Sequence, residues 1–126
     1  MLLNRAAAGL VFLLAIMTFQ VSNAAETQEE IASLLRFVEH SKCIFIRNDK
    51  EYTGTEARGH IERKYDHFKE KIATTEDFIR LAATKSLMSG RPYTVRCKDM
   101  EMNLADWLQA ELGRLRTDQK SFSEVR

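Results

Sequence analysis

Residues 42–47 read KCIFIR and residues 93–97 read YTVRC, two short runs that each carry one of the chain's only two cysteines. Ile44, Phe45 and Ile46 are β-branched or aromatic, and the run is too short and too continuous for an amphipathic helix. It reads as a mostly buried strand, and Tyr93–Cys97 reads as a second. Cys43 opens the first strand and Cys97 closes the second. Antiparallel neighbours would bring those ends together, whereas a parallel pair would hold them apart by about four rises of ~3.3 Å, beyond disulfide reach. A Cys43–Cys97 disulfide and an antiparallel pairing are therefore one expectation. It sets the register, with Phe45 opposite Val95, and Arg47 opposite Tyr93 as a cation–π pair at the margin of the core.

A disulfide needs an oxidising compartment, and the N-terminus supplies a reason to expect one. Arg5 precedes an apolar stretch from Ala6 to Phe19, followed by small residues at Ser22 and Ala24. This order reads as a secretory signal peptide over residues 1–24, cleaved after Ala24. The stretch is shorter than the ~20 residues of a spanning helix, so no stable membrane anchor is expected after cleavage. The whole chain has 19 basic and 18 acidic residues. Loss of Arg5 would balance them, which gives no electrostatic footprint for nucleic acid. With no CxxC spacing and only three histidines in the chain, a zinc site is poorly supported; a catalytic thiol is the other alternative to the staple.

The rest of the chain reads as helices. Thr27 and Glu30 form a capping-box pair ahead of Ile31, Leu34, Leu35 and Val38, a first helix ending near His40. A polar turn, RNDKEY, leads to a second such pair, Thr53 and Glu56, and a helix through Ala57, Ile61, Tyr65, Phe68 and Ile72. Thr74 or Thr75 caps a third helix carrying Phe78, Ile79, Leu81 and Ala82, and Gly90 and Pro92 punctuate the segment after it. Asn103 caps a fourth, through Leu104, Trp107, Leu108, Leu112 and Leu115. Residues 117–126 lack periodicity and read as a flexible C-terminal tail. No internal repeat is visible. The expectation is one α+β domain over residues 25–116, four helices packed on a short two-stranded antiparallel ribbon with one disulfide.

Glu56, His60, Lys64 and His67 fall along one stripe of the second helix. His60 there would be an acid–base or anion-binding group at the mouth of a cleft, with Lys64, Arg47 and Tyr52 adding charge and hydrogen bonds. The same spacing also describes a solvated face with i to i+4 pairs. Ser86, Ser89 and Gly90 could present backbone N–H groups to an anion, or simply end a helix. Arg47 and Asn48 could equally finish a strand and build a turn. The candidate binding residues are thus Arg47, Asn48, Tyr52, His60, Lys64, Ser89 and Gly90. No catalytic constellation, metal site or cofactor is read.

The segments FIRNDKEYTGTEARGHIERKY, TTEDFI, KSLMSGRPYTVRC and WLQAELGRL, in that order, resemble the YfeK-like family of small exported bacterial proteins, a domain of unknown function. The resemblance rests on Phe45-Ile46-Arg47-Asn48, Tyr52, Ala57, His60, Lys64, Glu76-Asp77-Phe78-Ile79, and Ser89-Gly90 ahead of Pro92-Tyr93. It implies the periplasm of a Gram-negative bacterium and no transferable activity. Asp49 departs from the family's more frequent glycine, yet Asp also adopts turn conformations.

Three functions follow as expectations. The first is a non-catalytic binding or interaction module of the cell envelope, its partner an envelope protein or a small ligand. The second is an inhibitor of a secreted or envelope enzyme, and the third a small enzyme using His60.

Overall fold

The structure, a computed structural model, describes residues 7–125, with side chains from Asn23 to Val125. The first six residues of the expected signal peptide lie outside the described residues. Four helices pack on a four-stranded antiparallel sheet. Helix α1 runs Ala7–His40, and strands β1 (Ile44–Arg47) and β2 (Lys50–Tyr52) form a hairpin that feeds helix α2 (Gly54–Phe68). A short 3₁₀ turn and helix α3 (Thr75–Ala82) follow; then β3 (Thr94–Cys97) and β4 (Met100–Asn103) form a second hairpin that feeds helix α4 (Leu104–Glu124).

The sheet order is β2-β1-β3-β4. The two strands expected from the apolar runs are the central pair, antiparallel, with Phe45 opposite Val95. Cys43 and Cys97 are bonded across their ends, with Cα atoms 4.5 Å apart. The expected two-stranded ribbon is corrected to four strands. The added strands, KEY and MEMN, are short edge strands whose residues are exposed except for Tyr52, which is half-buried, so they carry no continuous apolar run. The first hairpin turns on Asn48 and Asp49, both at positive φ (51° and 65°). A tight two-residue hairpin favours that conformation, and Asn and Asp reach it more readily than other non-glycine residues.

Three helix boundaries also differ from the expectation: α2 ends at Phe68 rather than running through Ile72, which is extended after the 3₁₀ turn Lys69–Lys71. Thr27 caps nothing; its Oγ1 donates to the Asn23 carbonyl one turn earlier, inside α1. The segment between has alanines and no glycine or proline, so nothing stops the helix there. Residues 117–124, read as a tail, continue α4 as exposed helix. Thr53 and Thr74 both form complete capping boxes, with Glu56 and Asp77. No helix of the described residues is long and apolar enough to cross a membrane.

The core lies between the helices and one sheet face. Leu34 and Val38 of α1, Ile61 of α2, Phe78 and Ile79 of α3, and Leu108 and Leu112 of α4 close over Phe45 and Val95. Trp107 stacks on Phe37 at 4.3 Å and meets Phe45 edge-on at 5.6 Å, a packing role. Against the end of α1, α2 begins at Gly54 because nothing larger fits: a Cβ there would lie 2.4 Å from the Val38 carbonyl oxygen. Glu30 of α1 is buried and accepts hydrogen bonds from Thr75 Oγ1 at 2.6 Å and Arg116 Nε at 2.8 Å.

Candidate functional site

The β1–β2 hairpin places Arg47 and Tyr52 on the core-facing side at the sheet's edge, and α2 brings His60 alongside, with Lys64 one turn further on against Tyr93. Between them lies a cavity of about 30 Å³, lined by Phe45, Ile46, Ala57, Ile61 and Leu104 and rimmed by Arg47, Tyr52, His60 and Tyr93. That volume admits a few water-sized groups. No serine, threonine or cysteine is among the residues lining it.

Each polar group at the rim has a definite partner. The Arg47 guanidinium lies over the Tyr52 ring, 5.3 Å from its centroid, with Nη2 3.5 Å from the Tyr52 hydroxyl. This corrects the expected Arg47–Tyr93 stacking, since the unread strand β2 supplies a closer ring. Tyr93, nearly buried, instead carries Lys64, whose Nζ is 4.8 Å from the ring centroid and donates to the phenol oxygen at 3.3 Å. Lys64 also donates to the Lys85 carbonyl. The His60 ring meets Tyr52 edge-on at 4.8 Å, and its Nδ1 lies 2.7 Å from Arg63 Nη2. Arginine only donates, so Nδ1 accepts and a neutral His60 carries its proton on Nε2.

The electrostatics follow from burial and like charges. Burial lowers the His60 pKa, and the Arg47 and Arg63 charges lower it further against a small opposing effect of Glu56. Lys64 is likewise lowered by burial, then by Arg47 and Lys85. Burial raises the Tyr93 phenol, against the pull of Arg47. Glu56 is committed to its capping box, accepting from the Thr53 N–H and hydroxyl. His60 is therefore half-buried at a cavity rim, not on a fully solvated stripe, and His67 points to Phe68 instead.

The remaining candidates form a second cluster. Ser89 Oγ donates to Asn48 Oδ1 at 2.6 Å, and Asn48 Nδ2 donates to Ser86 Oγ at 3.3 Å. Ser86, which is 4% exposed, also accepts from the Met88 and Ser89 N–H groups. Gly90 sits at φ 71° and its N–H closes on the Ser86 carbonyl. Arg91 forks onto Asp49 at 2.9 and 2.6 Å. The loop is thus pinned to the β1–β2 turn, and its N–H groups bond within it. The structure unites Arg47, Tyr52, His60 and Lys64, and places Asn48, Ser89 and Gly90 apart from them. Sequence reasoning missed Tyr93 as a rim residue, although its place opposite Arg47 in the expected register pointed there. Among the described residues, no group of three or more His, Cys, Asp and Glu converges as a metal site would.

No curated protein and no solved structure matches the chain significantly. A family model matches residues 25–116, nearly all of the sheet and the helices that close over it. The chain belongs to that family, a family of unknown function designated DUF5329.

Proposed function

We propose that this protein is a small non-catalytic binding or interaction module of the bacterial cell envelope, and that its ligand engages the rim formed by Arg47, Tyr52, His60, Lys64 and Tyr93. The observation that carries the reading is the convergence of Arg47, His60 and two phenols on a small apolar cavity with no serine, threonine or cysteine on its wall, and with Lys64 held against Tyr93 beside it. Periplasmic placement is supported by the apolar N-terminal stretch and by the disulfide, which suits an oxidising compartment. The YfeK-like resemblance points the same way. Among the residues whose side chains are described, burial in α1 begins at Glu30 and Ile31, and cleavage after Ala24 would leave all of these in place.

The test is recovery of the oxidised protein from an envelope extract, beside an Arg47→Gln, His60→Ala variant. A compound or protein retained by the native chain and lost by the variant is the expected result. Equal retention by both, or chemical conversion of a retained compound, would overturn the proposal.

A second reading, inhibition of a secreted or envelope enzyme, is favoured by the pinned loop at residues 86–91. It holds Leu87 and Met88 out at 61% and 96% exposure, and a preordered apolar tip loses little entropy on entering a partner's cleft. Inhibition of an envelope hydrolase relieved by Met88→Asp would establish that reading over the first. The third reading, a small enzyme using His60, is weakened because Ser89 lies in the other cluster and Arg63 occupies His60 Nδ1.

A further inference from the structure

Most arginines of the described chain hold a carboxylate: Arg58, Arg80, Arg91, Arg96, Arg114 and Arg116 are each in an ion pair. The basic groups gathered at the cavity rim differ. Arg47 contacts the Tyr52 ring and hydroxyl and the Tyr93 phenol, and Lys64 beside it meets that phenol and a carbonyl oxygen; Arg63, exposed outside the cavity, meets His60. Glu56, the acid whose charge reaches His60, is bound into its capping box. Arg47 and Lys64 are half-buried like charges that repel one another with no ion pair among the described residues, and an anion entering from outside relieves that cost.

We infer that Arg47 and Lys64 hold a carboxylate, borne on a short aliphatic group that occupies the cavity walled by Phe45, Ala57, Ile61 and Leu104. The inference rests on reading the rim as a binding site, and adds the chemical class of what it takes. The planar guanidinium offers the fork that matches a carboxylate, and Lys64 adds a point charge from the side of Tyr93. The Tyr52 and Tyr93 hydroxyls and His60 Nε2–H complete the set of donors. All are side chains, because the β1 and β2 backbone around them is paired into the sheet. A phosphate dianion, more strongly hydrated and richer in oxygens, has no row of free N–H groups here to replace its water. The apolar wall favours a ligand whose other end is hydrocarbon, and the cavity limits it to a tail of about two to four carbons.

The experiment is a titration of the purified, oxidised, isotope-labelled protein with butyrate, butanol and inorganic phosphate at matched ionic strength, followed by amide and imidazole chemical shifts. Butyrate is expected to shift Ile46, Arg47, Tyr52, His60 and Tyr93 saturably, and Arg47→Gln to weaken this about tenfold or more with the spectrum still dispersed. Lys64→Gln is the parallel variant should Arg47→Gln unfold. Butanol matching butyrate, phosphate binding more tightly than butyrate, or indifference to both substitutions would each overturn the carboxylate assignment. A rim that ignores butyrate yet retains another ligand from the envelope extract also overturns it, while leaving the binding module standing.

Discussion

Glu30 and Arg116 lie 86 residues apart and meet through two hydrogen bonds, Nε to Oε2 at 2.8 Å and Nη2 to Oε1 at 3.1 Å. Arg116 also reaches Glu76, so one guanidinium ties the start of the buried part of α1 to α3 and α4. The hydrogen bond from Arg116 is the main reason the Glu30 carboxyl stays below its ordinary range, against the opposing effect of burial. A carboxylate depressed in the folded state stabilises above its unfolded pKa, about 4.3, and that stability is lost as pH falls through the folded value.

Glu30→Gln should therefore cost about 1–3 kcal/mol at pH 7, with the gap from the native chain closing below about pH 4. The lower end is favoured because Arg116 is half exposed and screened by solvent. Urea unfolding at pH 7, 4 and 3 measures it. A gap that stays constant down to pH 3 would show that the ion pair is not its source.

Removing the Cys43–Cys97 bond should destabilise the fold by about 2–5 kcal/mol, since it closes a span of 54 positions in the unfolded chain. Thermal unfolding of the double serine variant beside the oxidised protein gives the figure. Free thiols in protein from an oxidising compartment would contradict the pairing itself.

Two glycines of α2 should respond in opposite directions. Gly54→Ala forces a Cβ into the Val38 carbonyl and should cost about 1–3 kcal/mol. Gly59 has open space around it, and Gly59→Ala should stabilise by up to about 1 kcal/mol through helix propensity. Denaturation midpoints of both variants decide it, and equal effects would mean that α2 does not abut α1 as described.

The His60 imidazole should titrate below about 6.5, and Arg47→Gln should move it partway back up, because burial remains when the charge is gone. Its folded pKa being the lower one, the stability His60 contributes is present above about pH 6.5 and declines as pH falls through the folded value. Ring-proton shifts followed against pH test both statements. A His60 pKa that ignores Arg47 would separate the two side chains.

The central strand pair and its register were legible because burial wrote them as apolar runs with a cysteine at each matching end. The edge strands were not, because Lys50-Glu51-Tyr52 and Met100-Glu101-Met102-Asn103 are short and largely exposed: the first has one apolar residue, and the two methionines that alternate in the second are not buried. Missing β2 had a direct consequence, for it is Tyr52 on that strand that captures Arg47. The stripe of Glu56, His60 and Lys64 was visible as a spacing, but its depth was not: Ala57 and Ile61 beside it turn this flank of α2 toward the sheet. Gly54 and Gly59 look alike in sequence, and only the approach of α1 distinguishes them.

Each hairpin runs directly into a helix, and the two units match in order and in spacing as far as the start of the helix. Ile44 and Thr94 open their first strands, Asn48 and Lys98 turn at positive φ, Lys50 and Met100 open the second strands, and Gly54 and Leu104 begin the helices, always fifty positions apart. Between Ile44 and Gly54, only Asp49 and Glu51 keep their identity in Asp99 and Glu101, so the recurrence belongs to the backbone. The chain thus contains its own comparison for the rim. Where the first unit has Arg47, Tyr52, His60 and Lys64, the second has Cys97, Met102, Ala110 and Arg114. The scaffold is assembled once with Arg47, Tyr52 and His60 and once without them, and of the four only Lys64 has a counterpart of like charge, Arg114.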